Sequence, residues 1–324
     1  MTSESIAGSD REGLAAATAA LRRSCESELA VGLQTLPDKP EETVASTLAA
    51  LWHAAAGRPL SAQRASLEAL PDLNAAGVAR LRSLMRRRIE GAPLAYLTGR
   101  QQFMGLELIA SAEALIPRNE TELLGRAALE RLHAIVREHG GATVIDVCTG
   151  SGNLALALAW HEPRARVWAA DISDVAIALA RRNLAQLQLA DRVTFRCGDL
   201  LAPFDAPEFH RRVDLLVCNP PYISSGKVDG MEREIIGHEP RVAFDGGPLG
   251  IRILQRLITA APRFLREGGS LVFEVGLGQA RGIRRRLERN GGYGDLEELV
   301  DQSGQPRVVS ARVRTRDRSA DGSA

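Results

Sequence analysis

The sequence predicts an α/β protein: a parallel sheet with helices on both faces, preceded by a small helical domain and a β-hairpin. Three observations carry this reading. From Ala142 onward, short apolar runs alternate with helical patterns, the signature of a parallel sheet crossed by helices. The first of those runs ends in a glycine turn, Gly150-Ser151-Gly152, that opens directly into a helix. Before about residue 95 the chain is instead rich in Ala, Leu and Arg, with apolar residues at helical spacing.

Taken in order, the first dozen residues are small and polar and are expected to fray. Residues 1–95 read as a helical domain of four or five helices, with stripes at Val44, Leu48, Leu51 and at Val78, Leu81, Leu84, Met85, Ile89. Pro37, Pro40, Gly57, Pro59 and Pro71 punctuate it, and Ser61 is placed to cap a short helix. Arg80, Arg82, Arg86, Arg87 and Arg88 fall mostly off the apolar stripe, so they read as a solvated face, with partner binding as the alternative. Residues 96–120 form a linker: Phe103–Ile109, a polar turn at Ser111–Glu113 and Leu115-Ile116-Pro117 suggest the hairpin. In residues 121–315, strands are expected at Thr143–Cys148, Ala165–Ala170, Arg192–Cys197, Val213–Cys218 and Ser270–Val275, with two more near Asp295–Val300 and Arg307–Val313. Helices are expected at Thr121–Glu138, Asn153–Trp160, Asp174–Gln188, Leu249–Leu265 and Gln279–Asn290. Residues 316–324 read as a disordered tail.

Composition excludes several classes. At 324 residues the chain has room for two domains, and 45% hydrophobic with 25% charged residues is ordinary globular composition. Its longest apolar runs are far short of the roughly 20 residues a membrane span needs. Lys+Arg is 41 against Asp+Glu 40, so no global electrostatic grip on nucleic acid is expected. The four cysteines form no C-x-x-C pair and the six histidines are scattered, so neither a zinc site nor a disulfide framework is expected. The start lacks the basic-then-apolar order of a leader, and a reducing, cytoplasmic setting is the simplest reading.

Four places carry chemistry. At Cys148-Thr149-Gly150-Ser151-Gly152 an apolar strand enters a turn whose glycines let backbone approach a ligand closely. Asp171, at the end of the next strand and just before Ile172, is placed to accept two hydrogen bonds from ribose hydroxyls, because Ser173 or Asp174 already serves as helix cap. Asp199, after the third strand, faces the same crevice, where its side chain can meet an adenine amino group and Leu200 can cover the ring. The strongest signal is Asn219-Pro220-Pro221-Tyr222 after the fourth strand: two prolines remove two backbone donors and stiffen the chain beside a switch point of the sheet.

Together these residues resemble the Rossmann-like class I S-adenosylmethionine-dependent methyltransferases that carry the N-P-P-Y signature of amine and amide methylation. Ile116-Pro117-Arg118-Asn119-Glu120-Thr121-Glu122-Leu123-Leu124 and His238-Glu239-Pro240-Arg241-Val242-Ala243-Phe244-Asp245-Gly246-Gly247 narrow the resemblance to the HemK/PrmC family of protein N5-glutamine methyltransferases. The likeness spans roughly residues 40–313; the chain departs from the family at Cys148, commonly Gly, and at Leu249, commonly an acid.

The resemblance implies S-adenosylmethionine as cofactor and, as usual acceptor, the Gly-Gly-Gln loop of peptide chain release factors. It implies that the Asn219 side-chain oxygen and the Pro220 carbonyl accept the two N–H bonds of the substrate amide, with Pro221 and Tyr222 against the substrate side chain and Phe103 as a candidate opposite wall. The connection Ile223–Gly247 reads as part lid and part substrate wall, with Glu239 and Arg241 as a structural pair. The helical domain is expected to select the macromolecule without touching cofactor. Alternatives are the same chemistry on a ribosomal protein, a biosynthetic peptide or a small amide, and N-methylation of a nucleic-acid base. Residues 1–95 hold 11 Lys/Arg and 11 Asp/Glu, so they carry no basic track that would favour the last.

Overall fold

The computed structural model describes residues 3–34, 39–224, 226, 240, 243–244, 246–247 and 249–315, with side chains from residue 16 on. The chain divides into two units, Met1–Gln102 and Phe103–Ala324.

The first unit is helical: α1 (Ser3–Gly32), α2 (Val44–Ala55), α3 (Ala62–Ala65), α4 (Ala75–Ile89) and α5 (Leu94–Thr98). Side-chain oxygens of Thr43, Ser61 and Asn74 cap α2, α3 and α4 by accepting backbone N–H bonds three residues on. Leu29, Leu48, Leu51, Trp52, Leu81 and Met85 close its core, and the Trp52 indole donates to the Pro71 carbonyl at 2.8 Å. α1 begins at Ser3, within the stretch expected to fray. One expectation is corrected here. Arg88 is not on the solvated face with Arg80, Arg82, Arg86 and Arg87: it is buried and paired with buried Glu42 at 2.8 Å. Its position explains this, because 81, 85 and 88 fall on one face of a helix.

A two-stranded hairpin, β1 (Arg100–Phe103) and β2 (Leu106–Ile109), contains the division between the units. The second unit continues with α6 (Asn119–His139), β3 (Ala142–Val147), α7 (Asn153–His161), β4 (Ala165–Asp171), α8 (Asp174–Leu187), β5 (Val193–Cys197) and β6 (Val213–Cys218). After it come α9 (Arg252–Ala260), β7 (Leu265–Glu274), α10 (Ala280–Asn290), β8 (Tyr293–Val300) and β9 (Pro306–Val313). Among the described residues these strands form one sheet in the order β5-β4-β3-β6-β7-β9-β8, parallel from β5 to β7, with β9 antiparallel to both β7 and β8.

Alternation along the central strands builds two cores. Val144, Leu215, Val217 and Val272 join a core that includes Leu124 and Leu132 of α6 and Leu156 of α7. Ile145, Leu216, Leu271 and Phe273 join another with Leu254 and Leu257 of α9 and Ile283 and Leu287 of α10.

One expected helix is shorter than its pattern. Leu249–Leu265 becomes α9 alone, followed by a 3₁₀ turn over Ala261–Arg263 that contains Pro262, after which β7 begins at Leu265. Proline supplies no N–H to continue the helix, and it ends there. No helix among the described residues is long and apolar enough to cross a membrane. The tail 316–324 lies outside the described residues.

Candidate active site

The chain lays β4 and β5 on one side of β3, then returns to lay β6 and β7 on the other. Loops leaving the carboxyl ends of β3 and β6 therefore diverge and leave a crevice. A cavity of about 240 Å³ opens there. Of the residues expected to hold the cofactor, Cys148, Thr149, Gly150, Ser151, Asp171, Ile172, Asp199, Leu200 and Asn219 line it. Glu113, Ala114, Leu115 and Pro117, from the segment between β2 and α6, add a wall that the sequence reading did not assign to the site.

The loop after β3 is shaped by its backbone. Cys148 takes φ +61°, the left-handed region that is costly for any residue with a Cβ. Gly150, at φ +54°, turns its N–H to Asp171 Oδ2 at 2.9 Å. Gly152 is not in the cavity wall; it sits at φ +83° at the start of α7, where a Cβ would lie 2.8 Å from the Phe195 ring. The missing side chain allows close helix-to-strand packing there.

Asp171 is locked from both sides, because Oδ1 accepts the Ser173 N–H at 3.0 Å while Oδ2 accepts from Gly150. Burial pushes its carboxyl up, against the backbone bonds from Ser173, Gly150 and Ile172. Each oxygen keeps a further acceptor position, which suits a vicinal diol. Ser173 caps α8, as its place after Asp171 suggested. Beneath the loop, Asp146 is fully buried and accepts from the Thr149 hydroxyl at 2.6 Å. Burial raises its carboxyl to about 7, against bonds from Thr149 and the Ala155 backbone and with a smaller push from Asp171. Asp146 carries no assignment from the sequence; an acid near the end of the otherwise apolar run Thr143–Cys148 is the available signal.

Asp199 lines the cavity but is not idle: Arg256 of α9 grips it with both guanidinium nitrogens, at 3.2 and 2.6 Å. That bond and the Asp199 charge hold the Arg256 guanidinium above its ordinary range.

On the acceptor side, Asn219 and Pro221 face the cavity, while Pro220 is buried behind them. The Asn219 amide nitrogen donates to Thr121 Oγ1 at 3.1 Å, so its oxygen is the end left for a ligand. Thr121 sits in the first turn of α6, within the motif quoted above, and lines the cavity too. Two expected substrate contacts have other partners in the structure. The Phe103 ring is 1% exposed and belongs to the core with Leu106, Leu108 and Leu124. Tyr222 is absent from the cavity wall; its ring lies under the Arg307 guanidinium, 5.7 Å away, and its hydroxyl accepts from Arg307 Nη2 at 3.2 Å. Burial pushes the Tyr222 phenol far up, helped by the neighbouring Glu274 charge.

Three further residues hold this side, and the sequence reading missed them. Glu274 ends β7 fully buried; burial pushes its carboxyl up, against the Arg307 charge. Arg307, also buried, reaches Glu274 at 3.6 Å and Glu120 at 3.5 Å. Gln279 ties loops together: its Oε1 accepts from Gly276 N–H at 2.9 Å and its Nε2 donates to the Tyr222 carbonyl at 2.8 Å. An acid inside the apolar run Ser270–Val275 was the one signal for Glu274; Arg307 and Gln279 had none.

The connection 223–247 lies mostly outside the described residues, as do His238, Glu239 and Arg241. Of its described part, Pro240 and Ala243 line the cavity, and Ile223 exchanges backbone bonds with Phe244 and Gly246. The residues present fit S-adenosylmethionine. Ser151 Oγ is buried in the wall with no partner among the described residues, and Asp171 offers spare acceptors beside a left-handed glycine. Among the described residues no cluster of His, Cys, Asp or Glu is arranged to hold a metal ion.

Comparison with known proteins agrees with this geometry. The model of the methyltransferase small domain matches residues 126–251. A release factor glutamine methyltransferase of Moorella thermoacetica is 39% identical over 263 residues, which cover 81% of this chain and 88% of that protein. Another, of Geobacter sulfurreducens, is 38% identical over 242 residues, covering 74% and 80%. Among solved structures, the hMettl16 catalytic domain, determined with the MAT2A 3'UTR hairpin 6, matches with TM-score 0.52 at 15% identity, covering 72% of this chain and 83% of that one; this likeness concerns the fold alone.

Proposed function

The chain belongs to the family of release factor glutamine methyltransferases, and from that premise we propose that it methylates the glutamine of the Gly-Gly-Gln loop in peptide chain release factors. The enzyme is an S-adenosylmethionine-dependent protein-(glutamine-N5) methyltransferase. The observation that carries the acceptor assignment is the Asn219 amide, whose nitrogen is engaged by Thr121 while its oxygen remains for a substrate N–H.

Bound S-adenosylmethionine supplies an electrophilic methyl group on a sulfonium. Asp171 would hold its ribose, Asp199 and Leu200 its adenine end, and the Cys148–Ser151 backbone its amino-acid end. A glutamine amide is a poor nucleophile because its nitrogen lone pair is delocalised into the carbonyl. The protein's task is therefore orientation rather than deprotonation. The Asn219 oxygen and the Pro220 carbonyl would accept the two N–H bonds, favour a pyramidal nitrogen and aim its lone pair at the methyl group. Those bonds strengthen as positive charge builds on the nitrogen, so they act on the transition state more than on the bound amide. Fixing the amide in this way can supply up to roughly 7–11 kcal/mol in the best intramolecular analogues. The helical unit is proposed to select the acceptor protein; among the described residues, those lining the cavity fall between Glu113 and Arg256, outside that unit.

The test is a labelling competition. Enzyme and radiolabelled S-adenosylmethionine are incubated separately with a release factor, its Gln-substituted form, ribosomes and DNA. Label should enter only the release factor with its glutamine intact; label on ribosomes or DNA instead overturns the substrate assignment.

A further inference from the structure

The turn Asn219-Pro220-Pro221-Tyr222 cannot anchor itself in the usual way. Its two prolines carry no N–H, so neither can donate to a neighbouring strand. Before the turn, Cys218 pairs with Val147 of β3 and Phe273 of β7 in the sheet. After it, Tyr222 is the first residue with partners of its own. Resting on the reading above for Asn219 and Pro220, we propose that Arg307 and Gln279 are positioning residues. They hold the turn by Tyr222 and so fix where the Asn219 oxygen and the Pro220 carbonyl point.

Both bonds have a polarity that their chemistry fixes. Arg307 Nη2 lies 3.2 Å from the Tyr222 hydroxyl, and a guanidinium only donates, so the hydroxyl accepts. Gln279 Oε1 takes the Gly276 N–H at 2.9 Å, and a backbone N–H likewise only donates. That turns Nε2 to the Tyr222 carbonyl at 2.8 Å, with the Gly250 carbonyl at 3.4 Å beside it. A flipped Gln279 would set its oxygen against two carbonyls. Gln279 stands at the N-cap of α10, yet its side chain makes no cap bond and serves these loops instead. The Tyr222 ring is held too. The Arg307 guanidinium covers it at 5.7 Å, and a Cβ at Gly276 would lie only 3.0 Å from it. A Cβ at Gly250 would strike the Tyr222 carbonyl, so the neighbouring loops leave Tyr222 little room to shift. Arg307 is 5% exposed, and a buried cation is costly unless paired; Glu120 at 3.5 Å and Glu274 at 3.6 Å supply the pairing. These anchors reach Tyr222 from 85 and 57 residues away in sequence. Neither Arg307 nor Gln279 lines the crevice, so each acts on the acceptor groups through Tyr222.

The test is turnover on a release factor, with cofactor affinity measured by calorimetry beside it. A slackened turn misaims the acceptor groups and leaves the cofactor loops alone, and misplacement by an ångström can cost about 10²-fold. Tyr222→Phe removes only the hydroxyl and leaves the buried charges paired. It should lower kcat roughly ten-fold, with KM for the release factor and cofactor affinity within about two-fold of the parent. Arg307→Lys keeps a cation between its carboxylates but loses the planar fork. It should cost about as much as Tyr222→Phe, and the double variant should fall no more than about two-fold below either. Gln279→Glu keeps the acceptor for Gly276 and loses the donor to Tyr222, so it should be as slow as Gln279→Met, roughly ten-fold below the parent. Parent-like kcat in Tyr222→Phe or Gln279→Glu overturns the proposal. So do additive losses in the Arg307 cycle, or cofactor affinity that falls in step with kcat, which would mark a merely structural role. Failure of the underlying reading looks different: Asn219→Ala itself would then keep turnover within a few-fold. A slow Asn219→Ala beside a fast Tyr222→Phe and a fast Gln279→Glu sinks this proposal alone.

Discussion

The cofactor end and the acceptor end of the crevice are built by opposite means. At the cofactor end, the loop after β3 and the loop after β4 hold each other through backbone N–H groups: Gly150 and Ser173 both bond Asp171. The parts are near in sequence and need few side chains. At the acceptor end, Asn219 is held by Thr121 of α6, the Tyr222 hydroxyl by Arg307 of β9, and the Tyr222 carbonyl by Gln279 at the start of α10. Those bonds join segments far apart in the chain, and the charged member, Arg307, is buried. Backbone loops suffice to cradle a ligand by shape and acceptors. Aiming one amide at another demands side chains of fixed polarity, which only a long-range network supplies.

The contrast predicts that damage at the two ends separates into turnover and affinity. The largest effect is expected at Asn219. Asn219→Ala should lower kcat by about 10²–10³, the scale of losing one oriented donor or acceptor at a reacting centre, with cofactor affinity by calorimetry little changed. A matching loss of cofactor affinity would erase the division.

Next is the pH dependence of stability from Asp146. Its carboxyl is raised from 3.8 to about 7 by burial. A carboxyl that keeps its proton longer when folded stabilises the fold fully below pH 4, and that contribution is lost as pH rises through about 7. Asp146→Asn should remove this decline, on the order of a few kcal/mol between pH 4 and pH 8, as read by chemical denaturation across that range. Parallel pH profiles for parent and variant would contradict the assignment.

Asp171→Ala should weaken cofactor binding by about 1.5–3 kcal/mol, since charge-assisted bonds are lost, while the methyl-transfer step at saturating cofactor stays near the parent. A variant that saturates normally but turns over slowly would place Asp171 with the acceptor end instead. The smallest effect is a gain: Cys148→Gly relieves a left-handed residue and should stabilise the fold by about 1 kcal/mol without loss of cofactor affinity. Destabilisation on urea unfolding would show that the Cys148 side chain packs more than its backbone strains.

The same contrast explains what could be read from the sequence. The strand order of chemistry, from the glycine loop to Asp171, Asp199 and Asn219, was legible because each residue follows its own strand and the fold brings carboxyl ends together. Glu274, Arg307 and Gln279 were not, because their roles depend on which distant loops meet, and no local spacing encodes that. The surroundings of Tyr222 and Phe103 were hidden for a related reason: Phe103 packs with Leu106 and Leu124, and the Tyr222 hydroxyl accepts from Arg307, partners that no local spacing encodes. Secondary structure was misread where composition imitates a turn. Arg266-Glu267-Gly268-Gly269 looks like a loop, yet β7 already runs through it from Leu265, with an irregular register against β6 between Val213 and Leu215. Arg88 was read from its charge when its helical position with Leu81 and Met85 decided its burial.

Tandem mass spectrometry of a release factor before and after treatment shows whether this crevice methylates the side-chain amide of a protein glutamine. One added methyl group is expected, carried by the glutamine of the Gly-Gly-Gln loop, formed by the parent enzyme and nearly absent with Asn219→Ala over the same time. A methyl group on another residue of the release factor, or equal modification by Asn219→Ala, would contradict it.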